Sequence, residues 1–414
     1  MESHAKSFVK AVTTAEQRET VRRVGVSLFA RLLELVKKRK FSGELGINLL
    51  GYIQGDFGLG ESCRLLAGSL QGSGVPFSIY PISTGDAAQC TNSDWCAYGS
   101  DVLPYSINLF HLNPDSLAST VWKLGTQSFL KGYNIGFFLW EQPEWPQNWL
   151  YALHLMDEIW TPAEFISQSV RKCTNKPVLT MPYGLPVPKT AEAYNRAYFG
   201  LPEQTCLFMI SYDGYSNSDR KNPMGSVRAY CNAFSPDDVG VGLVIKATHA
   251  REEDLAAFHE CLKDYPNIFV LTENYSKVAF NSLIQCVDVY VSLHRAEGFG
   301  LVMAEAMQLG TAVIATNWSA NTEFMNEDVA CMVPAQVIEL TQDSPPYPKG
   351  THWAQPDEAC AARWMRRLYE DELYRKELCG RAKEFLKGKL AQEESAQRIK
   401  LRLEALCSKE NIPK

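Results

Sequence analysis

No apolar run in this 414-residue sequence reaches the roughly 18 to 20 residues that cross a bilayer, so a membrane span is not expected. Nor is a secretory leader: the opening stretch, Met1 to Thr14, is polar and carries no apolar core followed by a small-residue cleavage site. A basic excess is missing as well. With a formal net charge of -6, the chain lacks the electrostatic footprint of a nucleic-acid binder, and no nucleic-acid partner is expected. The twelve cysteines contain no Cys-x-x-Cys pair, and several, such as Cys206, Cys286 and Cys331, lie inside apolar runs; they read as buried free thiols of a reducing cytosol. Cys90 and Cys96 would bridge only in a secreted protein. There is no repeat of 20 to 50 residues, which argues against a solenoid.

What is present fits two packed domains. The length exceeds what one core usually serves, and 46% of the residues are apolar. Residues 1–44 are expected to form an amino-terminal basic amphipathic helix, with Val21, Val24, Leu28, Leu32, Leu35 and Val36 on one stripe and Lys37-Lys38-Arg39-Lys40 at its end. Such a helix packs on the domain behind it, the commoner case, or lies over residues 15–40 on an anionic membrane surface. Beyond it, the apolar strand Ile47 to Ile53, the turn Gly55-Asp56-Phe57-Gly58-Leu59-Gly60 and a helix from Glu61 to Leu70 make a βα unit. Strands Ser106 to His111 and Tyr133 to Trp140 continue the alternation through a domain of residues 45–185.

The proline-rich stretch Pro177 to Pro188 marks the crossing to a second doubly wound domain, residues 186–385. Its strands are expected at Cys206 to Tyr212, Gly242 to Lys246, Ile268 to Leu271, Val287 to Leu293 and Ala312 to Ala315. Pro345 to Pro356 reads as a loop, and a carboxy-terminal helix is expected over 386–414.

The chemistry concentrates after the strand that ends near Leu293. A loop carries Glu297, Gly298 and Gly300, and a helix opens at Leu301. In open α/β sheets, ligands bind at the carboxyl ends of strands, and unpaired N–H groups at a helix start favour a diphosphate. Glu305, one turn into the helix, suits the vicinal hydroxyls of a ribose, and Glu297 suits a sugar. Two glutamates alone would be ordinary surface chemistry. The full run Glu-Gly-Phe-Gly-Leu-Val-Met-Ala-Glu-Ala-Met, with seven residues between Glu297 and Glu305, closely resembles the signature of retaining glycosyltransferases of family 4, which have the GT-B fold.

The resemblance implies two Rossmann-like doubly wound domains facing across a cleft, and a nucleotide-diphosphate sugar as donor. By its pattern Glu297 lies against the donor sugar, Glu305 holds the ribose, and Phe299, Gly300 and Leu301 offer backbone amides. Asp219-Arg220-Lys221-Asn222-Pro223 is similar to the family's donor-phosphate arginine and lysine, although here the two cations are adjacent and either one suits the phosphate. Asn321 lies in a loop, Asn317 to Glu323, that looks like the family's Gly-Gly loop with Ala320 in place of a glycine. Gly58 and Gly60 match its first glycine-rich loop, and His111, followed by Asn113, matches a cleft histidine that contacts the donor sugar. Glu141, after the strand ending at Trp140, and Asn113 are acceptor-side candidates. His294 reads as a loop-positioning residue, and the run Gly350 to Asp357 is similar to one branch of the family without an evident role.

The implied reaction is hexose transfer from GDP-mannose or a UDP-hexose to a glycan or lipid-linked acceptor, with the anomeric configuration retained. Clustered aspartates are absent, so no metal or other cofactor is expected, and the protein is placed in the cytoplasm or on the inner face of the membrane. Alternatives are a nucleotide-sugar epimerase or glycoside phosphorylase of the same fold, or an idle scaffold of a polysaccharide assembly complex. The sequence does not give the oligomeric state.

Overall fold

The computed structural model describes residues 43–83 and 92–409, together with positions 20, 21, 24, 25, 27 and 28. Most of the expected first helix, and Cys90, lie outside the described residues. The six described positions within that helix are helical, and Val21, Val24 and Leu28 are exposed, so no packed face covers them among the described residues.

The chain divides into two compact units. The first holds residues up to Leu139, Trp145–Gly184 and Gln392–Lys414, and the second holds Trp140–Glu144 and Leu185–Ala391. The stretch from 386 onward is therefore not one separate helix. Its first residues finish the helix Glu372–Lys389, and a new helix, Gln392–Lys409, belongs to the first unit.

In the first unit, β1 (Glu44–Gly51), β2 (Phe77–Pro81), β3 (Tyr105–His111), β4 (Tyr133–Phe137), β5 (Glu158–Thr161) and β6 (Val178–Thr180) form one parallel sheet in the order β2-β1-β3-β4-β5-β6. Strands covered on both faces read as nearly unbroken apolar runs, as β1, β3 and β4 do in the sequence, whereas β2, β5 and β6 were not expected there. Inside them runs a ladder of amides. Asn48, Asn108 and Asn134 stand in register on β1, β3 and β4; Asn48 Nδ2 donates to Asn108 Oδ1 (2.8 Å), and Asn108 Nδ2 donates to Asn134 Oδ1 (3.0 Å). A one-residue slip would leave these buried groups without partners, so the ladder fixes the register.

The helix Gln392–Lys409 packs on Gly58–Ser73, close enough that a Cβ on Gly68 would stand 2.8 Å from Gln392 Nε2. Arg402 anchors it. Glu158 is fully buried on β5 and accepts from Arg402 Nε (2.9 Å) and Nη2, Trp160 Nε1 (2.6 Å) and Tyr133 Oη (3.1 Å).

The second unit repeats the architecture. Here β7 (Cys206–Asp213), β8 (Val241–Thr248), β9 (Ile268–Leu271), β10 (Val289–Ser292), β11 (Ala312–Thr316) and β12 (Cys331–Val333) form a parallel sheet in the order β12-β11-β10-β7-β8-β9. Its core joins Phe208, Ile210, Leu243, Ile245, Val289 and Val291 with helix residues such as Val227, Phe258 and Met365. The segment expected as a plain loop, Pro345 to Pro356, ends in a strand: β13 (Ala335–Glu339) pairs antiparallel with β14 (His352–Pro356). The prolines and glycine concealed it, because all but Pro356 occupy the connection.

Replacing Arg402 with Met leaves the Glu158 carboxylate buried without its cation, so Arg402→Met is expected to cost about 3–5 kcal/mol of stability in urea unfolding. Adding Glu158→Gln should recover part of that loss. A cost under 1 kcal/mol would show that the pair does not anchor the helix.

Candidate active site

Each sheet reverses its strand order beside the first strand of its unit, between β1 and β3 in one and between β7 and β10 in the other. Loops leaving the carboxyl ends of such a strand pair diverge and open a crevice. In the second unit these loops carry Arg220 with Lys221, and Glu297.

The β7 loop is built by two asparagines. Asn217 caps the short helix Ser218–Lys221, its Oδ1 accepting from Arg220 N at 2.8 Å. Asn222 takes a left-handed conformation (φ 50°), which its short polar side chain tolerates, and starts the next helix with Pro223 in its first turn. Its Nδ2 donates to Leu293 O (2.8 Å), and Arg295 N donates to Arg220 O (2.7 Å), so the two loops are joined. Arg220 is consequently buried, its Nη1 donating to Ala296 O (2.9 Å) and its Nη2 to Ser216 Oγ (2.8 Å), while Nε has no partner among the described residues. Burial works against its charge, and the neighbouring Tyr347, Glu141 and Glu297 more than restore it.

Glu297 Oε2 lies 2.6 Å from Lys221 Nζ and 3.6 Å from Arg220 Nη1. Burial alone would raise the pKa of this carboxyl, but Lys221 and Arg220 outweigh it and hold the group at about 2. It is a permanent anion at physiological pH and cannot act as a general acid. Gly300 follows in a left-handed conformation (φ 99°), where a Cβ would meet Met303 Cε at 2.6 Å, and the helix Leu301–Leu309 starts without a side-chain cap. Its first N–H groups are therefore available to an anion. Phe299 turns its ring into the core against Phe324 (5.3 Å between centroids), leaving its backbone for the loop. Glu305 is 5% exposed, and its Oε1 stands 2.5 Å from Lys277 Nζ.

Asn321 is fully buried and structural in its contacts. Its Nδ2 donates to Thr316 O (3.0 Å), and its Oδ1 faces His294 Nε2 (3.1 Å). Because Nε2 also faces Trp318 O (3.3 Å), that nitrogen carries the proton and Nδ1 accepts from Ser292 Oγ. Burial lowers the pKa of His294, which stays neutral and ties β10 to the loop after β11. In that loop the strained position is Ser319 (φ 73°), one before the Ala320 that replaces a glycine. The Ser319 hydroxyl is used: it accepts from Glu297 N at 2.9 Å.

In the first unit, a Cβ on Gly60 would stand 2.1 Å from Gly55 O, so only glycine closes the turn after β1, whereas Gly58 has open space around it. Arg64 fastens the turn, donating to Ile53 O (3.0 Å) and Gly55 O (2.8 Å). His111 is fully buried, stacked on Phe137 (5.0 Å) with Nε2 3.1 Å from Ser62 Oγ. Burial lowers its pKa to about 4. It is a neutral hydrogen-bonding group. Asn113 Oδ1 accepts from Leu139 N (3.1 Å).

The structure thus brings together Arg220, Lys221 and Glu297, and also Glu141, which belongs to the second unit. Sequence reasoning missed Lys277, Tyr347 and Arg64. Lys277 opens the helix Lys277–Cys286 and meets Glu305 across 28 positions, a pairing for which no local pattern exists. Among the described residues, no group of three or more His, Cys, Asp and Glu side chains converges on a metal site.

Comparison with known proteins bears on the fold and on one stretch of the second unit. Residues 236–343 match the family described as Glycosyl transferases group 1. That span contains Glu297, Gly300 and Glu305. No curated protein matches the sequence. Among solved structures, HepE from Anabaena, in complex with UDP and glucose, is similar at 12% identity with a TM-score of 0.63, covering 88% of this chain and 100% of its own. Sucrose-phosphate synthase from Thermosynechococcus elongatus is similar at 14% identity and the same TM-score, over 88% and 100%. A glycosyltransferase from Rickettsia africae gives 12% identity and 0.63, over 89% and 100%. The fold is the GT-B one, built from two Rossmann-like parallel-sheet units.

Glu297 titrates at about 2 here against 4.5 for an unperturbed carboxyl, so its contribution to stability is complete above about pH 4.5 and is lost as the pH falls toward 2. Glu297→Gln is expected to flatten the decline in unfolding free energy between pH 5 and 3, measured by urea titration. Equal slopes in variant and wild type would contradict the ion cluster.

Proposed function

We propose that this protein is a retaining glycosyltransferase of the family-4 kind that moves a hexose from a nucleotide-diphosphate sugar to a glycan or lipid-linked acceptor, without a metal. The observation that carries the reading is the constellation at the strand reversal of the second unit. Arg220 and Lys221 lie 3.6 Å and 2.6 Å from Glu297, beside an uncapped helix start that leads to Glu305. Two cations and an uncapped helix start suit a diphosphate, and carboxylates that only accept hydrogen bonds suit hydroxyls.

In this account Glu305 binds the ribose, and the amides of Phe299, Gly300 and Leu301 with Arg220 and Lys221 hold the diphosphate. Glu297 lies against the donor sugar. The bond between the anomeric carbon and the diphosphate oxygen breaks, and the acceptor oxygen joins the same carbon on the same face. The acceptor proton passes to the departing diphosphate. Arg220 and Lys221 neutralise the charge that develops on this leaving group, the task a metal ion performs elsewhere. His111, Gly58 and Gly60 are read as donor contacts and Asn113 as an acceptor-side residue; His111 would serve through its neutral ring. Asn321 would act by positioning the loop that holds Glu297.

UDP-hexoses and GDP-mannose are the donors proposed. UDP is the nucleotide bound by HepE and by a pneumococcal O-GlcNAc transferase whose complex also holds GlcNAc. A lipid-linked acceptor at the inner face of the membrane rests on the basic run Lys37 to Lys40.

A thermal-shift screen against UDP, GDP, ADP and dTDP tests the reading. One nucleotide, at about 100 times its dissociation constant, should stabilise the protein by about 2.7 kcal/mol. The shift should persist in EDTA and vanish in Glu305→Ala. No shift from any nucleotide would overturn the proposal, and loss of the shift in EDTA would overturn its metal-free form.

A further inference from the structure

The hairpin β13–β14 has no part in the donor site as described so far, yet it is fastened to both of that site's loops. Asn217 Nδ2 donates to Ser344 Oγ (2.8 Å) and Pro345 O (2.9 Å), and Ser344 Oγ donates to Asp219 Oδ2 (2.9 Å). Ala354 N donates to Arg295 O (2.8 Å), and the Arg295 guanidinium lies over the Trp353 ring (5.5 Å). These contacts place Tyr347, 3% exposed, between Trp140 (5.3 Å between ring centroids) and Trp353 (6.1 Å).

The Tyr347 hydroxyl donates to Glu141 Oε2 at 3.0 Å. Burial and the nearby carboxylates keep this phenol protonated, so it remains a donor. The second oxygen, Oε1, receives no protein donor among the described residues, and it lies 3.9 Å from where a Cβ on Gly298 would stand. Gly298 sits between Glu297 and Phe299, so a group seated on that loop meets Glu141. The guanidinium of Arg220, whose charge Glu141 supports, keeps a buried Nε without a partner among the described residues. Unpartnered buried polar groups are costly, which marks places that a ligand or water completes.

A carboxylate repels a diphosphate. One fixed beside a diphosphate site by a dedicated phenol is therefore matched to a different part of the donor, a group that gives a hydrogen bond. We propose that Glu141 accepts a hydrogen bond from a hydroxyl of the transferred hexose and that Tyr347, acting through Glu141, is the positioning residue that makes the site select a sugar hydroxylated at that carbon. The inference rests on the glycosyltransferase reading and extends it to sugar specificity, with the hairpin as the element that supplies it.

The test uses the full chain, with calorimetric titration of UDP, GDP, UDP-glucose, UDP-N-acetylglucosamine and GDP-mannose, and release of nucleotide from the sugar donors as a second readout. Tyr347→Phe keeps the ring contacts, and Glu141→Ala removes the carboxylate. Tyr347→Phe should bind the free nucleotide within about twofold of wild type, and Glu141→Ala, which removes a carboxylate beside the diphosphate, at least as tightly as wild type. Each should lose the preference for the nucleotide sugar over the nucleotide, and kcat/KM for nucleotide release should fall about tenfold or more, the usual effect of one hydrogen bond to a charged group. An unchanged sugar preference in both variants overturns the proposal. An equal loss of affinity for nucleotide and nucleotide sugar also overturns it, because the pair would then only support Arg220. If wild type binds none of the five, the glycosyltransferase reading falls, and this inference falls with it.

Discussion

An arginine taken out of water needs compensation from every side, and Arg220 imposes that demand on the whole ligand end of the second unit. Its backbone is capped by Asn217, its carbonyl takes the Arg295 N–H, and its guanidinium is held by Ala296 O and Ser216 Oγ. The loops after β7 and β10 are drawn together as a result, and the hairpin β13–β14 closes over both. Glu297 and Glu141 supply the negative charge. A less buried cation would have left these loops as independent surface turns.

The same demand explains why the site, as it stands, is neutralised from within. Lys221 is paired with Glu297, and Lys277 with Glu305. Under the proposed function an incoming diphosphate and ribose compete for these pairings. Lys221 exchanges a carboxylate for a phosphate while Glu297 is freed to face the sugar, and Glu305 exchanges an ammonium for hydroxyls. Such exchange keeps the buried charged groups hydrogen-bonded throughout, which a site of bare cations would not do.

Much of this was legible in the sequence because parallel strands buried on both faces advertise themselves. β11, and the helix opening at Leu301, fell where the apolar runs and Gly300 placed them. Glu297, Arg220 and Lys221 were visible because each sits in a short motif directly after a strand. What stayed hidden has no local period. Lys277 pairs across 28 positions, and Tyr347 reaches Glu141 across 206. The antiparallel hairpin was masked by its proline-rich connection, and Glu141 was assigned by its place in the chain to the domain before it. The positive φ at Ser319, one residue before Ala320, was not visible either, because a glycine pattern shows where freedom is wanted in a family and not which residue of this chain takes the unusual angle.

Calorimetric titration of the Arg220→Gln/Lys221→Gln double variant, with the nucleotide diphosphate that binds wild type, tests the central claim most directly. If these cations form the diphosphate site, affinity falls at least about a hundredfold, the scale of two charge-assisted hydrogen bonds, while the far-ultraviolet spectrum is retained. Undiminished affinity in a folded double variant would place the nucleotide elsewhere and contradict the account.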